Sequence, residues 1–425
     1  MDVTRNEPRA ALNAIFRAAL QAVNGRACVT RALQADPIVH SPVALVAVGK
    51  AASAMLLGAL DVISDAVVCD ALLVTKHGHV DSELRERAHV TIIEAGHPLP
   101  DQHSVDAGVR LMSMLHALPR DAFVLFLLSG GASSLVECLP DGITLSDARR
   151  VNEWLLASGL PITQMNRIRM RLSRIKGGQL RSALNGRAAR VLLLSDVPSD
   201  DVRVIGSGPL AQPEPTASLP IVPSWLQHLL ERAAASRPSR PAAVLGNIPH
   251  QIIADVRQCK HAAAAAARAL GFAVHVDEHV MQGDAATVGR DLAHQLCTGA
   301  PGVYIWGGET TVLLPAQPGR GGRNQTLALA AAEVMRGRSD VMLLAAGTDG
   351  TDGPGEIAGA IVDGGTVSRG QAAGWLCADA LARADAGTFL AVSGDLLRTG
   401  PTGTNVMDLI VGVRFRSNET GDPFA

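Results

Sequence analysis

Val43-Ala44-Leu45-Val46-Ala47-Val48-Gly49-Lys50 decides how this chain folds. Six apolar residues in a row, with no polar alternation, make a strand buried on both faces, and such strands belong to parallel sheets covered by helices. Gly49-Lys50 ends the run, and the alanine-rich stretch after it reads as a helix. Short apolar runs at 72–75, 90–93, 123–128 and 191–194 predict further strands, with helical patterns between several of them. Upstream, Leu12, Ile15, Phe16, Leu20 and Val23 recur at helical spacing and predict a helix over 8–23.

At 425 residues the chain is too long for one core, which predicts two domains. Seven prolines between 209 and 241 are the clearest composition shift and place the boundary after 236, giving domains 1–236 and 237–425. Within that stretch Trp225 to Ala235 can form a helix. Beyond it a second alternating series predicts strand 242–245, helix 250–270, strand 272–276, helix 284–297 and strand 302–306. Further strands are expected at 341–346, 388–392 and 408–413. The fold class is therefore α/β, with two α/β domains.

Composition excludes several functions. Hydrophobic residues make up 47% and charged residues 18%, too apolar for a disordered chain. A formal charge of −2 and an aromatic content of 3% give neither the field nor the stacking surface for nucleic acid. The six cysteines are scattered, as in reduced thiols, and form neither a disulfide framework nor a zinc site. Met1 to Glu7 lacks the apolar core of a signal peptide, and no apolar run nears the roughly 20 residues that span a bilayer. A soluble, cytoplasmic protein without membrane partners is expected.

The chemistry gathers in glycine-rich stretches. Gly307-Gly308-Glu309-Thr310-Thr311 is followed by Gly319-Arg320-Gly321-Gly322-Arg323-Asn324-Gln325 and by a helix-like run from Thr326 to Val334. Glycines let N–H groups approach an oxyanion, and arginine adds a charged planar fork suited to phosphate or carboxylate. These features point to a small, highly anionic ligand held by cations. The strand 123–128 runs into Ser129-Gly130-Gly131-Ala132-Ser133-Ser134, whose N–H groups and hydroxyls can cradle phosphate or simply turn the chain. Lys50, one of only four lysines, sits near a helix start where its charge opposes the helix dipole, which favours a functional role.

Asp196 follows the strand 191–194, where it can take a proton from a hydroxyl, hold magnesium, or cap a turn. Asp349 and Asp352, in the glycine-rich loop Gly347 to Gly353, could share Mg²⁺ or form Asx-turns. Asn166 to Lys176 predicts a basic helix carrying Arg167, Arg169, Arg171, Arg174 and Lys176, closed by Gly177-Gly178. It is either a solvated face or a source of cations.

Other signals fail. Gly206-Ser207-Gly208-Pro209 matches only the first glycines of a dinucleotide fingerprint, and the prolines after it leave no helix for a pyrophosphate. Gly49-Lys50 lacks the earlier glycine and following Ser or Thr of a Walker A loop. His77 with His79, or His97 with His103, have no cysteine partner and read as hydrogen-bonding residues, not metal ligands. No Gly-x-Ser-x-Gly elbow occurs.

Taken together, Val48-Gly49-Lys50-Ala51-Ala52, Glu94-Ala95-Gly96-His97-Pro98, Leu128 to Ser134, Ser195-Asp196-Val197, Ser207-Gly208-Pro209, Gly307 to Thr311, Gly319 to Gln325, Gly347 to Gly353 and Thr399 to Asn405 resemble the class II glycerate kinases over nearly the whole chain. The carboxy-terminal part of that family is the MOFRL domain. The resemblance implies ATP-dependent phosphorylation of D-glycerate at its 2-hydroxyl. It also implies a Rossmann-like first domain, a smaller α/β MOFRL-type second domain, and an active site in the cleft between them. It makes Lys50 and Arg323 the catalytic cations.

Around them the reading puts Asp196 on the 2-hydroxyl, and Ser129, Gly130, Gly131, Ala132, Ser133, Glu309 and Asn324 at the nucleotide phosphates. Arg169 and Lys176 would face the substrate, and Asp349 and Asp352 would hold Mg²⁺. Two departures stand out: Met170-Arg171 where the family has Lys-His, and Ser199 where it has glycine. The partners expected are D-glycerate and ATP, with a homodimer compatible. The rival readings are an NAD(P)H-dependent hydroxypyruvate reductase, for which no dinucleotide fingerprint is present, and a non-catalytic sensor of a small organic acid.

Overall fold

The apolar runs of the first half become six strands: β1 (Val43–Val48), β2 (Val68–Lys76), β3 (Val90–Ala95), β4 (Phe123–Leu128), β5 (Ala189–Leu194) and β6 (His250–Ala254). The computed structural model describes residues 8–212, 219–236 and 246–416. All neighbouring pairs are parallel, in the order β3-β2-β1-β4-β5-β6. The order reverses between β1 and β4, and a ligand in such a sheet binds beyond the carboxyl ends of the strands at that point. Val48 lies opposite Leu128 in register, so the turns after β1 and β4 start side by side. Val46, Phe126, Leu111 and Leu180 belong to the core on one face of this sheet. A separate apolar cluster joins the helices Leu145–Ala157, Ile162–Arg171 and Ser224–Ala235 through Leu155, Ile168 and Leu226.

The second sheet is mixed: β7 (Val274–Asp284), β8 (Gly302–Thr311), β9 (Val341–Gly347), β10 (Gly359–Asp363), β11 (Leu396–Leu397) and β12 (Asp408–Arg414), in the order β11-β10-β9-β12-β8-β7. β12 runs antiparallel to both β8 and β9, so β8 and β9 end at the edge where β12 begins. The helix Arg323–Met335 is buried almost all round, an alanine-rich rod packed on β9 and β10.

Several expectations need correction. The chain divides into residues 25–254 and a unit that joins the first helix, Pro8–Ala22, to everything from Asp255 onward. That helix lies against the helix Val256–Ala269, and Arg9 Nη2 donates to the Ile361 carbonyl at 2.7 Å and to Asp395. Amphipathic spacing says that a helix is half-buried, not which sheet buries it. The boundary expected after 236 likewise falls before β6, which pairs with β5 in the first sheet. The segment read as helix 250–270 is β6 followed by the helix Val256–Ala269, whose first turn is capped by Asp255 Oδ1 accepting from Gln258 N at 2.7 Å. The strand expected at 242–245 lies outside the described residues.

Residues 388–392 are not a strand but part of the helix Ala386–Ser393. A short apolar run carries no period that separates the two, and Gly394, left-handed at φ 77°, closes the helix. Phe389 fits against Gly370, where an added Cβ would meet the ring at 2.1 Å. β8 continues through Thr311, past the 302–306 expected, so the glycine-rich stretch Gly307 to Thr311 is itself strand. The basic helix ends at Arg171, leaving Lys176 in the turn beyond it.

Candidate active site

In the first unit the turns after β1 and β4 interlock. Lys50 N donates to the Gly130 carbonyl at 2.9 Å, and Ser129 Oγ accepts from Ala51 N at 3.1 Å. Gly49 is held at φ 133°, and a Cβ there would lie 2.2 Å from Ser129 Oγ, so only glycine fits between these turns. Gly131 is left-handed at φ 87°; a Cβ on it would come within 3.1 Å of both Lys50 Cγ and His97 Cδ2. Lys50, His97 and the Gly130-Gly131 turn thus converge at the point where the strand order reverses. Ala132 then opens a single helical turn, Ala132–Leu135.

Ser133 extends this cluster. Its hydroxyl is 2.7 Å from Ser207 Oγ, and Ser207 Oγ donates to Asn166 Oδ1 at 3.3 Å. Arg169 Nη1 donates to the same Asn166 oxygen at 3.3 Å, and its Nε donates to Asn152 Oδ1 at 3.1 Å. Burial pulls the Arg169 pKa below that of a free guanidinium, an effect opposed by Glu137. A hydrogen-bonded row therefore joins the phosphate-type turn to Arg169. Asp196 sits just past β5, half-buried.

Lys176 is placed differently from the expectation. It is buried and paired with the buried Glu137 carboxylate, whose Oε1 also accepts from Ser173 Oγ at 2.6 Å and Cys138 N at 3.0 Å. The helix stops five residues early, and the chain turns Lys176 inward.

In the second unit Arg323 is the first residue of its helix. Its Nε donates to Asp408 Oδ2 at 2.7 Å, Nη2 to Asp408 Oδ1 at 3.2 Å, and Nη1 to Glu309. Burial opposes the Arg323 charge, but Asp408 and Glu309 outweigh it and keep the guanidinium protonated. With three of five N–H donors so used, two remain for a ligand.

Asp352 organises the same helix start. Its Oδ1 accepts from Asn324 N (3.0 Å) and Nδ2 (3.4 Å), and its Oδ2 from Gln325 N (2.8 Å) and Nε2 (2.9 Å). A carboxylate offers about four lone-pair sites, so Asp352 has none left for a metal and serves as the helix's anionic cap. Burial pushes its pKa up to about 6, with nearby Asp408 adding to the rise and the helix N–H groups opposing it.

Asp349 Oδ1 accepts from Thr351 N at 2.9 Å, the Asx-turn alternative. It lies 3.2 Å from where a Gly347 Cβ would stand, and Asp408 Oδ1 lies 3.6 Å from the same point. The buried side-chain oxygens Asn324 Oδ1 and Thr310 Oγ1 have no hydrogen-bond partner. Three carboxylates around one guanidinium leave this pocket net negative, whereas the sequence reading expected a positive lining. Asp408, which opens an otherwise apolar strand, carried no signal of its role.

Sequence reasoning also missed His97, Ser207 and Glu137. His97 and Ser207 lay in stretches already singled out, but nothing local tells that they face Lys50 and Ser133. Among the described residues no helix is long and apolar enough to cross a membrane.

Residues 11–225 match the family described as a domain of unknown function, DUF4147, and residues 302–408 match the MOFRL family. The chain is 36% identical to the D-glycerate 2-kinase of Thermotoga maritima over 87% of its own length and 90% of that protein. It is also 36% identical to a putative hydroxypyruvate reductase of Agrobacterium vitis, over 94% of the chain and 93% of that protein. The crystal structure of glycerate kinase from Thermotoga maritima superposes with a TM-score of 0.79 at 34% identity, covering 96% of this chain and all of that one.

Proposed function

The chain belongs to the glycerate 2-kinase family that pairs a DUF4147 domain with a MOFRL domain, and on that premise we propose that it transfers the γ-phosphoryl group of ATP to the 2-hydroxyl of D-glycerate, giving 2-phosphoglycerate and ADP. The observation that carries this reading is the convergence of Lys50, His97 and the Gly130-Gly131 turn where the parallel sheet reverses its strand order. Phosphoryl transfer asks little covalent chemistry of a protein; it needs fixed positions and cations for charge spreading over oxygens.

Ser129, Gly130, Gly131, Ala132 and Ser133 present N–H groups and hydroxyls to phosphate oxygens. Lys50 neutralises the transferring group. Arg323, oriented by Asp408 and Glu309, gives its two remaining donors to phosphate or to the glycerate carboxylate. Asp196 orients the 2-hydroxyl and accepts its proton. Arg169, tied to Ser133 through Ser207 and Asn166, serves the substrate carboxylate, while Lys176 holds Glu137 and supports the fold.

Mg²⁺ fits the second unit on two grounds. A net-negative pocket repels a bare polyphosphate, and a buried amide oxygen without a partner, Asn324 Oδ1, suits a hard cation. Asp349 and Asn324 are the residues that would hold the ion, which supplies charge neutralisation at the phosphates. The six free cysteines fit a reducing, cytoplasmic setting.

The deciding experiment supplies ATP, Mg²⁺ and D-glycerate and examines the product by phosphorus NMR, with hydroxypyruvate and NADH in a parallel assay. A 2-phosphoglycerate resonance with no NADH oxidation is expected. NADH oxidation without phosphorylated product would replace the kinase by the reductase. Glycerate-dependent stabilisation with neither reaction would make the protein a sensor.

A further inference from the structure

Among the described residues one group of three or more metal-type side chains gathers its ligand atoms closely: His77, Asp101 and His103, within 4.8 Å of one another. The sequence offered His77 with His79 and His97 with His103; folding selects a different pair. His77 lies just beyond β2, while Asp101 and His103 form the start of the helix Gln102–Ala117.

The two oxygens of Asp101 divide their work. Oδ1 accepts from Ser104 N at 3.0 Å and Ser104 Oγ at 3.2 Å, completing the helix cap. Oδ2 faces the imidazoles, 3.1 Å from His77 Nε2 and 3.9 Å from His103 Nδ1. Metal–nitrogen and metal–oxygen bonds of about 2.0–2.2 Å at tetrahedral angles put neighbouring ligand atoms roughly 3.3 Å apart. The His77–Asp101 separation is close to that edge length and the His103 nitrogen stands wider, with all three atoms within 4.8 Å, so rotation of the exposed rings would bring them onto an ion. The Glu94 carboxylate, paired with Arg85 Nη2 at 2.9 Å, also accepts from Gly78 N at 2.6 Å and so fixes the turn that carries His77.

We propose that His77 Nε2, Asp101 Oδ2 and His103 Nδ1 form a binding site for a divalent transition metal of the zinc class. Two imidazoles and one carboxylate suit zinc, cobalt or nickel and not magnesium, which takes oxygen ligands. All three side chains reach solvent, which leaves further coordination positions for water. The ion would clamp the turn after β2 to the start of the helix Gln102–Ala117. Asp101 also adjoins Gly96, where an added Cβ would lie 3.0 Å from its Cγ, and His97 follows directly beside Lys50.

The test uses untagged, full-length protein stripped by chelator dialysis. Calorimetric titration with Zn²⁺ should show saturable binding of one equivalent, and Co²⁺ should give the intense visible bands of a low-coordinate site. His77→Ala and His103→Ala should each weaken binding by at least about a hundredfold, since even outer-shell partners change affinity by 10–100-fold. Zn²⁺ should raise the Tm of the unsubstituted protein and not of the variants, because an ion that binds only the folded state stabilises it. A control, His89→Ala, should bind as the parent does. Equal Zn²⁺ affinity in the parent and a His77→Ala/His103→Ala double variant would overturn the proposal, as would a parent that binds neither ion.

Discussion

Arg323 grips Asp408 through two donors, at 2.7 and 3.2 Å, joining the first residue of a helix to the first residue of the last strand. Asp408 is wholly buried, while the Arg323 side chain keeps 34% of its surface exposed. The carboxylate therefore fixes the direction of the guanidinium without consuming it, leaving its outer face for a ligand.

Arg323→Ala should lower kcat by about a hundredfold or more, the scale for removing one preorganised group that stabilises transition-state charge. Arg323→Lys keeps a charge but loses the fork, and should recover only a small part of that rate. Steady-state kinetics with ATP and D-glycerate check both. Near-normal turnover in Arg323→Ala would remove the residue from the mechanism.

Lys50→Met should also lose about two orders of magnitude in kcat, with circular dichroism and Tm close to the parent. Its backbone bond to Gly130 does not depend on the side chain, so the turn survives the substitution. A variant that changes only KM would assign Lys50 to ground-state binding.

Lys176→Met should act on stability, not on substrate affinity. Removing one partner of a buried ion pair leaves the other uncompensated, which costs about 3–5 kcal/mol. Adding Glu137→Gln should restore part of the loss. Denaturant titration of the single and double variants measures this, and an unchanged KM for glycerate in the folded fraction separates support from substrate binding.

Asp352 predicts a pH dependence. Its carboxyl holds its proton up to about pH 6 in the fold, whereas an unfolded chain releases it near 3.9. The folded state thus binds more protons between these values. The resulting stability is complete below about pH 4 and is lost as pH rises through about 6, by at most about 1.4 kcal/mol per pH unit. Relative to Asp352→Asn, the parent should lose stability across that window and run parallel above pH 7. Melting curves at intervals from pH 4 to 8 test the sign.

How much was legible can be judged from particular residues. β1 and β4 were bounded to the residue, because each six-residue apolar run is rich in valine or phenylalanine and is closed by a glycine-containing turn. Lys50 and Ser129 to Ser134 were singled out on similar grounds, since polar residues placed just past a strand end are local information, and the structure brings the two turns together. The helix Ala386–Ser393 was misread because its length and apolarity fit either state. Lys176 was misplaced because helical spacing gave no stop at Arg171.

By itself, then, the sequence determined the α/β class, the parallel first sheet and the polar turns that follow its strands. These rest on burial patterns and turn residues only a few positions apart. Tertiary structure alone decided that the first helix packs with the second half of the chain, that Asp408 lies beside Arg323 from 85 positions away, and that Asp352 caps that helix from 28 positions away. Such pairings arise where distant segments must bury their charges together. No local pattern records a partner that only chain closure brings within hydrogen-bonding distance.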